Sequence, residues 1–498
     1  MAGMDEAVAL SRRSLLKLGA LGLAGGLAGC TRAQNPLIEP LPEVIRSDGG
    51  LLELTLPLAE TRVELAGRPA RLFAYGGRVP GPRLELRPGD TLRLRLENRL
   101  KEPTNLHFHG LHVSPSGNSD NVFLEIPPGE VLVYEVLIPK DHPAGTFWYH
   151  PHRHGLVARQ VFAGAAGLLV VRGDLDEVPE VAAAREAFLV LKDFALAGER
   201  VPAPSPMERA AGREGPILTA NGKTRERLSV PRGGLLRLRL LNASASRVFR
   251  LRLDEHPFYL IATDGGGLAE PVELEELLLA PGERAEVLVR GNRPPGSYAL
   301  RVLPYDRGGP GGMGMGMGMG GFARPQSSGV VGELVYEGEA RPELPLPTRL
   351  LSLEPLPAPV RTRRFLLGHA MRPGRGMVFV INGKTFDPRR VDVEARLGDV
   401  EEWELVNLGV MDHPFHLHTN PFQVVSRNGR KEPFLAWRDV VNLRPNERVR
   451  FRVRYQDFTG RAVFHCHILD HEDLGMMGVI EHREGARAQA EAEAHSQG

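Results

Sequence analysis

The chain has 498 residues, 42% of them hydrophobic and 25% charged, with 57 glycines and 41 prolines. That length exceeds one ordinary core and suggests about three domains, and the turn-forming residues favour a β protein over a helical one. A formal net charge of +1 provides no strongly basic face, so no nucleic-acid partner is expected.

Residues 1–30 read as a targeting segment. Ser11-Arg12-Arg13-Ser14-Leu15-Leu16-Lys17 looks like a twin-arginine export signal, and the apolar stretch Leu18 to Gly29 follows it. A dozen or so residues fall short of the roughly 20 that span a bilayer. A buried N-terminal helix is the alternative, and the glycines through the stretch weaken it. That export route carries folded proteins, often with cofactor already inserted, to the periplasm or cell envelope. Leu27-Ala28-Gly29-Cys30 resembles a lipobox, in which the Cys30 thiol is acylated and tethers the protein to a membrane. The alternative is cleavage nearby, after Ala33, and a soluble product. With Cys30 lipidated, Cys466 is the one remaining cysteine. An exported protein normally uses disulfides or nothing, so a lone thiol calls for another role.

The body of the chain reads as short alternating strands between Gly, Pro and Asn turns, the pattern of β-sandwiches, and it contains a repeat. Gly89-Asp90-Thr91-Leu92-Arg93-Leu94-Arg95-Leu96-Glu97-Asn98 alternates apolar and polar residues between a turn and an asparagine. Gly233 to Asn242 repeats it, and so does Gly398 to Asn407; in all three the Gly and the Asn are nine residues apart. Asn-Gly-Lys at Asn221 and at Asn382 precedes the second and third copies. Nine residues past each Asn stand His107 (in His107-Phe108-His109), Leu251 (in Leu251-Arg252-Leu253) and His416 (in His416-Leu417-His418). A later strand opening with Gly carries His150-Pro151-His152 in the first unit and His465-Cys466-His467 in the third. The middle unit has Arg301 and Leu303 there and reads as metal-free. The units are expected at 45–175, 180–335 and 345–485, with Pro-rich linkers around Pro202–Pro206 and Pro342–Pro359, and a frayed polar tail at 486–498.

Residues i and i+2 of a strand face the same way, so each His-X-His pair aims two imidazoles to one side. One pair alone carries little. Four pairs at matching places in the outer units point to eight imidazoles around a cleft that binds several metal ions. Imidazole suits copper, zinc, iron and nickel alike, and Cys466 decides among them. Its thiolate points away from the His465 and His467 rings. His413, His471 five residues on and Met476 ten residues on complete two imidazoles, one thiolate and a weak thioether, a blue-copper set. Zinc prefers four strong tetrahedral ligands, and Met is a poor one.

His107-Phe108-His109-Gly110, His150-Pro151-His152, His413-Pro414-X-His416-X-His418 and His465-Cys466-His467-X-X-X-His471-X-X-X-X-Met476 together resemble the four copper motifs of the multicopper oxidases. The resemblance covers essentially the whole chain beyond the leader. It implies an all-β fold of three consecutive cupredoxin-like Greek-key domains, sandwich or barrel, with four coppers. It assigns His413, Cys466, His471 and Met476 to a type 1 copper, and His107 and His416 to a type 2 copper. His109, His150, His152, His418, His465 and His467 fall to a type 3 pair. Electrons would enter singly at an exposed type 1 site and pass through Cys466 to His465 and His467, where dioxygen is reduced to two waters. Glu472 and Asp120 resemble the family's proton-relay acids; the loop Ser114 to Ser119 can shift the register of Asp120, and the alternative for both is a solvated carboxylate. His112 joins the cluster only if its strand continues past Gly110, and His154 is a candidate supporting residue.

Gly312-Met313-Gly314-Met315-Gly316-Met317-Gly318-Met319-Gly320 cannot form a stable helix, with Gly at every second place. Its thioethers at Met313, Met315, Met317 and Met319 suit Cu(I), and Met371, Met377, Met411 and Met477 could extend that surface. The expectation is a monomeric cuprous oxidase with laccase-like oxidation of phenols as a second activity. The alternatives are a broad laccase with a gating loop, and a copper-sequestering lipoprotein without oxygen chemistry. A copper nitrite reductase lacks the extra histidine pairs.

Overall fold

A computed structural model describes residues 39–309, 327–374 and 376–485. The targeting segment with Cys30, the methionine segment with Met313, Met315, Met317 and Met319, and the tail at 486–498 lie outside the described residues.

Among the described residues, six sheets fall into three pairs along the chain. In the first pair, Arg68–Tyr75, Leu51–Leu65, Thr91–Asn98 and Val131–Leu137 form one sheet. Val44–Arg46, Gly81–Leu86, Gly167–Val171, Gly145–His150 and His107–His109 form the other. The middle pair is built around Arg185–Phe194 with Leu235–Asn242, and around Ser297–Leu303 with Phe249–Leu253. The third is built around Arg361–Arg372 with Val400–Asn407, and around Gly460–Cys466 with His413–Leu417. Alternation explains the first unit's inner face: Leu92, Leu94 and Leu96 are fully buried while Arg93 and Arg95 between them are exposed. Burial of such rows is the main stabilising term, at about 25 cal/mol per Å² of apolar surface.

The repeated asparagine has a physical task. Asn98, Asn242 and Asn407 are all buried. The Nδ2 group of Asn98 donates to Glu102 O and Ile126 O, that of Asn242 to Arg247 O and Leu279 O, and that of Asn407 to Met411 O and Leu443 O. Each Oδ1 accepts the N–H two residues on. The side chain thereby satisfies backbone groups where the chain leaves one sheet for the other, groups that burial would otherwise leave unpaired. The next strand starts at a fixed distance, so equivalent residues arrive at equivalent places. His107 pairs with His150, Leu251 with Val302 and His416 with His465. The Asn-Gly-Lys marker is a tight turn, closed by bridges from Ala220 to Lys223 and from Ile381 to Lys384, with Asn221 and Asn382 at positive φ, followed by glycines at positive φ.

The middle unit departs from simple alternation. Leu235–Asn242 is buried on both faces. Arg237 and Arg239 are paired there with Glu286, and both also reach Asp176, which belongs to the segment leaving the first unit. Thr146 of the first unit donates to Glu286. These arginines, polar members of an alternating strand, lie in a contact between units rather than at a solvent face.

Candidate metal centre

Strand pairing brings the predicted histidines together. His107, His109, His150, His152, His416, His418, His465 and His467 are each at most 2% exposed. Subsets of them place ring nitrogens within 4.8 Å of one another: His107 with His416 and His418, His107 with His109 and His150, and His152 with His418 and His465. His467 adjoins them, its ring 5.1 Å from that of His109 and 5.8 Å from that of His150. The strands themselves end early. His152, His418 and His467 lie one or two residues beyond Gly145–His150, His413–Leu417 and Gly460–Cys466, so only one pair, His107 with His109, lies wholly within a strand. Gly110 stops that strand with φ +88°, and His112 turns aside to Thr419 O at 2.7 Å and Asp457 at 2.8 Å. His154 sits edge-on to Phe386.

The hydrogen bonds on the outer side of the cluster determine which nitrogen of each ring carries the lone pair. His107 Nδ1–H donates to Asp120 Oδ1 at 2.9 Å, His150 Nδ1–H to Pro151 O at 2.9 Å, and His416 Nδ1–H to Asp439 O at 2.8 Å. In each case Nε2 is buried without a hydrogen-bond partner. His109 is turned the other way, with Nε2–H donating to Asp439 Oδ1 at 3.0 Å and Nδ1 unpartnered. His465 Nδ1–H donates to Cys466 O, leaving its Nε2 lone pair 3.1 Å from Nε2 of His152 and of His418. Burial lowers the pKa of seven of these rings, His152 to about 3, so they are neutral ligands. An unsatisfied buried acceptor costs about 1–3 kcal/mol, and several converging on one space fit bound metal ions.

A second group lies in the third unit. Cys466 Sγ is 3.4 Å from His413 Nδ1 and 3.9 Å from His471 Nδ1, and the three form one ligand set. Met476 is fully buried in the same apolar cluster, its carbonyl accepting Cys466 N–H at 3.1 Å. Burial pushes the Cys466 thiol up, so its thiolate needs a cation beside it. The expectation of an exposed type 1 site is not met. All four predicted ligands are fully buried, because the helix Pro206–Ala210 covers this end: His471 Nε2–H donates to Ala210 O at 3.1 Å. On another side Phe379 stacks on His471 with ring centroids 3.7 Å apart.

Both predicted acids are buried rather than solvated. Asp120 accepts from His107 and from Phe108 N–H at 2.9 Å, and burial pushes its carboxyl up to about 8. Glu472 is enclosed, with Oε2 3.2 Å from His465 Nδ1 and Oε1 3.6 Å from His152 Nδ1, yet neither oxygen is aligned for a hydrogen bond. Burial, with Asp473 adding to it, holds Glu472 well above the usual carboxyl range. Sequence reasoning missed Asp439, which braces two cluster histidines. The available signal was an acid at the head of the buried, mostly apolar strand Val440–Leu443. Gly282, in the middle unit, packs on His467 so closely that a Cβ would lie 2.9 Å from its ring.

Three family models, each described as multicopper oxidase, match residues 58–176, 197–315 and 358–486. The multicopper oxidase mco of Staphylococcus haemolyticus is 29% identical over 463 residues, covering 91% of this chain and 93% of that protein. The cell division protein FtsP of Edwardsiella tarda is 33% identical over 451 residues, covering 87% and 90%. Among solved structures, a multicopper oxidase from Campylobacter jejuni, described as a metallo-oxidase, superposes with a TM-score of 0.77 at 32% identity, covering 90% of this chain and 94% of that one. CueO of Ochrobactrum sp., described as laccase-like, gives 0.77 at 30% identity, covering 89% and 100%. Geometry, family models and neighbours agree: the chain belongs to the multicopper oxidase family, a fold of three cupredoxin-like domains with four coppers.

Proposed function

We propose that this multicopper oxidase is a cuprous oxidase, taking electrons singly from Cu(I) and using four of them, with four protons, to reduce dioxygen to two waters. The observation that carries the oxidase reading is the set of buried imidazoles whose outer nitrogens are tied down and whose lone pairs converge. His413, Cys466, His471 and Met476 would hold the type 1 copper, and His107 and His416 the type 2 copper. His109, His150, His152, His418, His465 and His467 would hold the type 3 pair. Copper at these places supplies one-electron oxidation of the donor and four-electron reduction of dioxygen. The chain does the rest. Cys466 lies covalently between His465 and His467, a continuous bonded route from its Sγ to both rings. Asp120 and Glu472, protonated when no cation is near, keep exchangeable protons at carboxyl oxygens beside His107 and His465. Cations among the imidazoles pull both towards the carboxylate, which suits groups that give up protons during turnover.

Cu(I) is favoured by one face of the hairpin formed by Arg361–Arg372 and Gly376–Ile381. Met371, 71% exposed, stands opposite Met377, and His369 opposite Phe379. Directly opposed residues share a face with Cβ atoms about 4.5–5.5 Å apart. Soft sulfur therefore lines a path whose inner end is the Phe379 ring stacked on His471. The Campylobacter jejuni neighbour, described as a metallo-oxidase, supports this reading. Replacing both Met371 and Met377 with leucine is expected to raise KM for Cu(I) and leave oxidation of a phenol unchanged. Equal loss on both donors would favour a general laccase, the reading that the Ochrobactrum neighbour's description supports. The likeness to FtsP raises a cell-division role without redox chemistry, and failure of copper-supplemented protein to take up oxygen would favour it. Export by the twin-arginine route to the periplasm or cell envelope, with acylation of Cys30, completes the proposal; mass spectrometry of the mature N-terminus tests it.

A further inference from the structure

Asp439 and Arg284 form a buried ion pair against the trinuclear centre, and only Asp439 comes from a unit that supplies ligands. Arg284 opens the strand Arg284–Arg290 of the middle unit and is fully buried. Its five N–H groups all find acceptors. Nε donates to Thr146 O at 3.0 Å in the first unit. Nη1 donates to Gly282 O at 2.9 Å and Asp439 Oδ1 at 2.8 Å. Nη2 donates to Asp264 O at 2.9 Å and Asp439 Oδ2 at 2.5 Å. One guanidinium therefore ties all three units together with a fully satisfied fork, the geometry in which Arg cannot be exchanged for Lys.

The residue it grips holds two ligands of different kinds, one through its carboxylate and one through its backbone carbonyl. Asp439 Oδ1 accepts from His109 Nε2–H, and Asp439 backbone O accepts from His416 Nδ1–H. His109 therefore offers its near nitrogen, Nδ1, whereas His416 offers the far one, Nε2. Both carboxylate oxygens receive Arg284 N–H groups, which makes Oδ1 an acceptor towards His109. The pair also accounts for the glycine of His107-Phe108-His109-Gly110. A Cβ on Gly110 would lie 2.3 Å from Arg284 Nη2 and 2.6 Å from Asp439 Oδ2.

We propose that Arg284 is a positioning residue for the trinuclear centre: by clamping Asp439 it fixes which nitrogen of His109 is left to bind copper, so the middle unit helps to set the geometry of a metal site it does not ligate. The inference rests on the assignment of His109 to the type 3 pair. Loss of a group that orients a metal-bound histidine typically costs about 10–100-fold in metal affinity.

The test compares copper-loaded wild-type protein with Arg284→Met, Arg284→Lys and Asp439→Asn. Each is titrated with a copper chelator while the visible thiolate band, the near-ultraviolet type 3 band and bound copper are recorded. In all three variants the near-ultraviolet band should disappear at about 10–100-fold lower chelator than in wild type, with the visible band retained. Because Asn still offers His109 an oxygen but presents an amide N–H to Arg284, its failure would locate the effect in the clamp. Should Arg284→Met not accumulate, Arg284→Lys carries the comparison, since it keeps the charge and lacks the fork. A lowered unfolding temperature with an unchanged titration would mean a structural brace only and would overturn the inference. A wild-type protein without the near-ultraviolet band would instead overturn the type 3 reading on which it stands.

Discussion

Replacing Asp120 with asparagine separates two roles that one carboxylate combines. Its Oδ1 accepts from both His107 Nδ1 and Phe108 N, each at 2.9 Å, while Oδ2 lies 3.1 Å from the same His107 nitrogen. Asparagine keeps an oxygen at the Oδ1 position, so both donors stay satisfied and His107 keeps Nε2 aimed at the metal. What disappears is a site that can hold and release a proton. General acid–base catalysis contributes about 10²–10⁴-fold, and oxygen uptake at saturating donor should fall by that factor while copper content and optical spectrum stay as in wild type. Alanine is different: it strands two buried N–H groups at about 1–3 kcal/mol each, about 2–6 kcal/mol together, and frees His107 to rotate. That variant should lose copper as well as turnover. Full turnover in Asp120→Asn would refute the proton role. Copper loss in Asp120→Asn equal to that in Asp120→Ala would reduce the carboxylate to a brace.

The contact between the first and middle units should show in acid. Burial raises the Glu186 carboxyl, but Arg172 and Arg239 outweigh it and hold the group near pH 2, against 4.5 ordinarily. A depressed carboxyl stabilises the fold above its unfolded pKa by about 3 kcal/mol and loses that contribution as pH falls from about 4.5 to about 2. The urea midpoint of Glu186→Gln should therefore lie below wild type at pH 6 and meet it near pH 2; a gap independent of pH would contradict this. Phe379→Ala removes a ring that is 1% exposed and stacked on His471. It should cost about 3–5 kcal/mol in thermal unfolding and shift the visible band, and an unshifted band would mean that the ring does not influence the type 1 site. Copper removal exposes the unsatisfied Nε2 of His107, His150 and His416 and Nδ1 of His109. At about 1–3 kcal/mol each, apoprotein should unfold well below the copper-loaded form, and equal unfolding temperatures would argue against metal occupancy.

The ligands were legible because sequence separation and strand geometry coincide. The Gly-to-Asn spacing marks equivalent strands, and each Asn sets where the next strand begins, so His107 and His416 could be aligned without a structure. The i, i+2 rule gave the right residues for a partly wrong reason: His152, His418 and His467 lie past their strand ends and are aimed by the turns that follow. The buried type 1 site was not legible, because its cover comes from a short helix at Pro206–Ala210, far away in sequence. Arg237, Arg239 and Arg284 were illegible for a shared reason. In alternating strands arginine reads as a solvent face, and only packing between units turns these side chains into buried, paired groups. Asp439 escaped notice because its partner Arg284 is 155 residues away, in a unit whose lack of His-X-His pairs diverts attention from it.

The most direct test of a thiolate-bound copper joined to an oxygen-reducing centre is Cys466→Ser, read by optical spectrum, copper count and oxygen uptake on one preparation. Wild type should bind four coppers and absorb intensely in the visible. The variant should lose the visible band and one copper, keep the near-ultraviolet type 3 band, and oxidise neither Cu(I) nor phenols. A colourless wild type, or a serine variant that still consumes oxygen at the wild-type rate, would contradict the account.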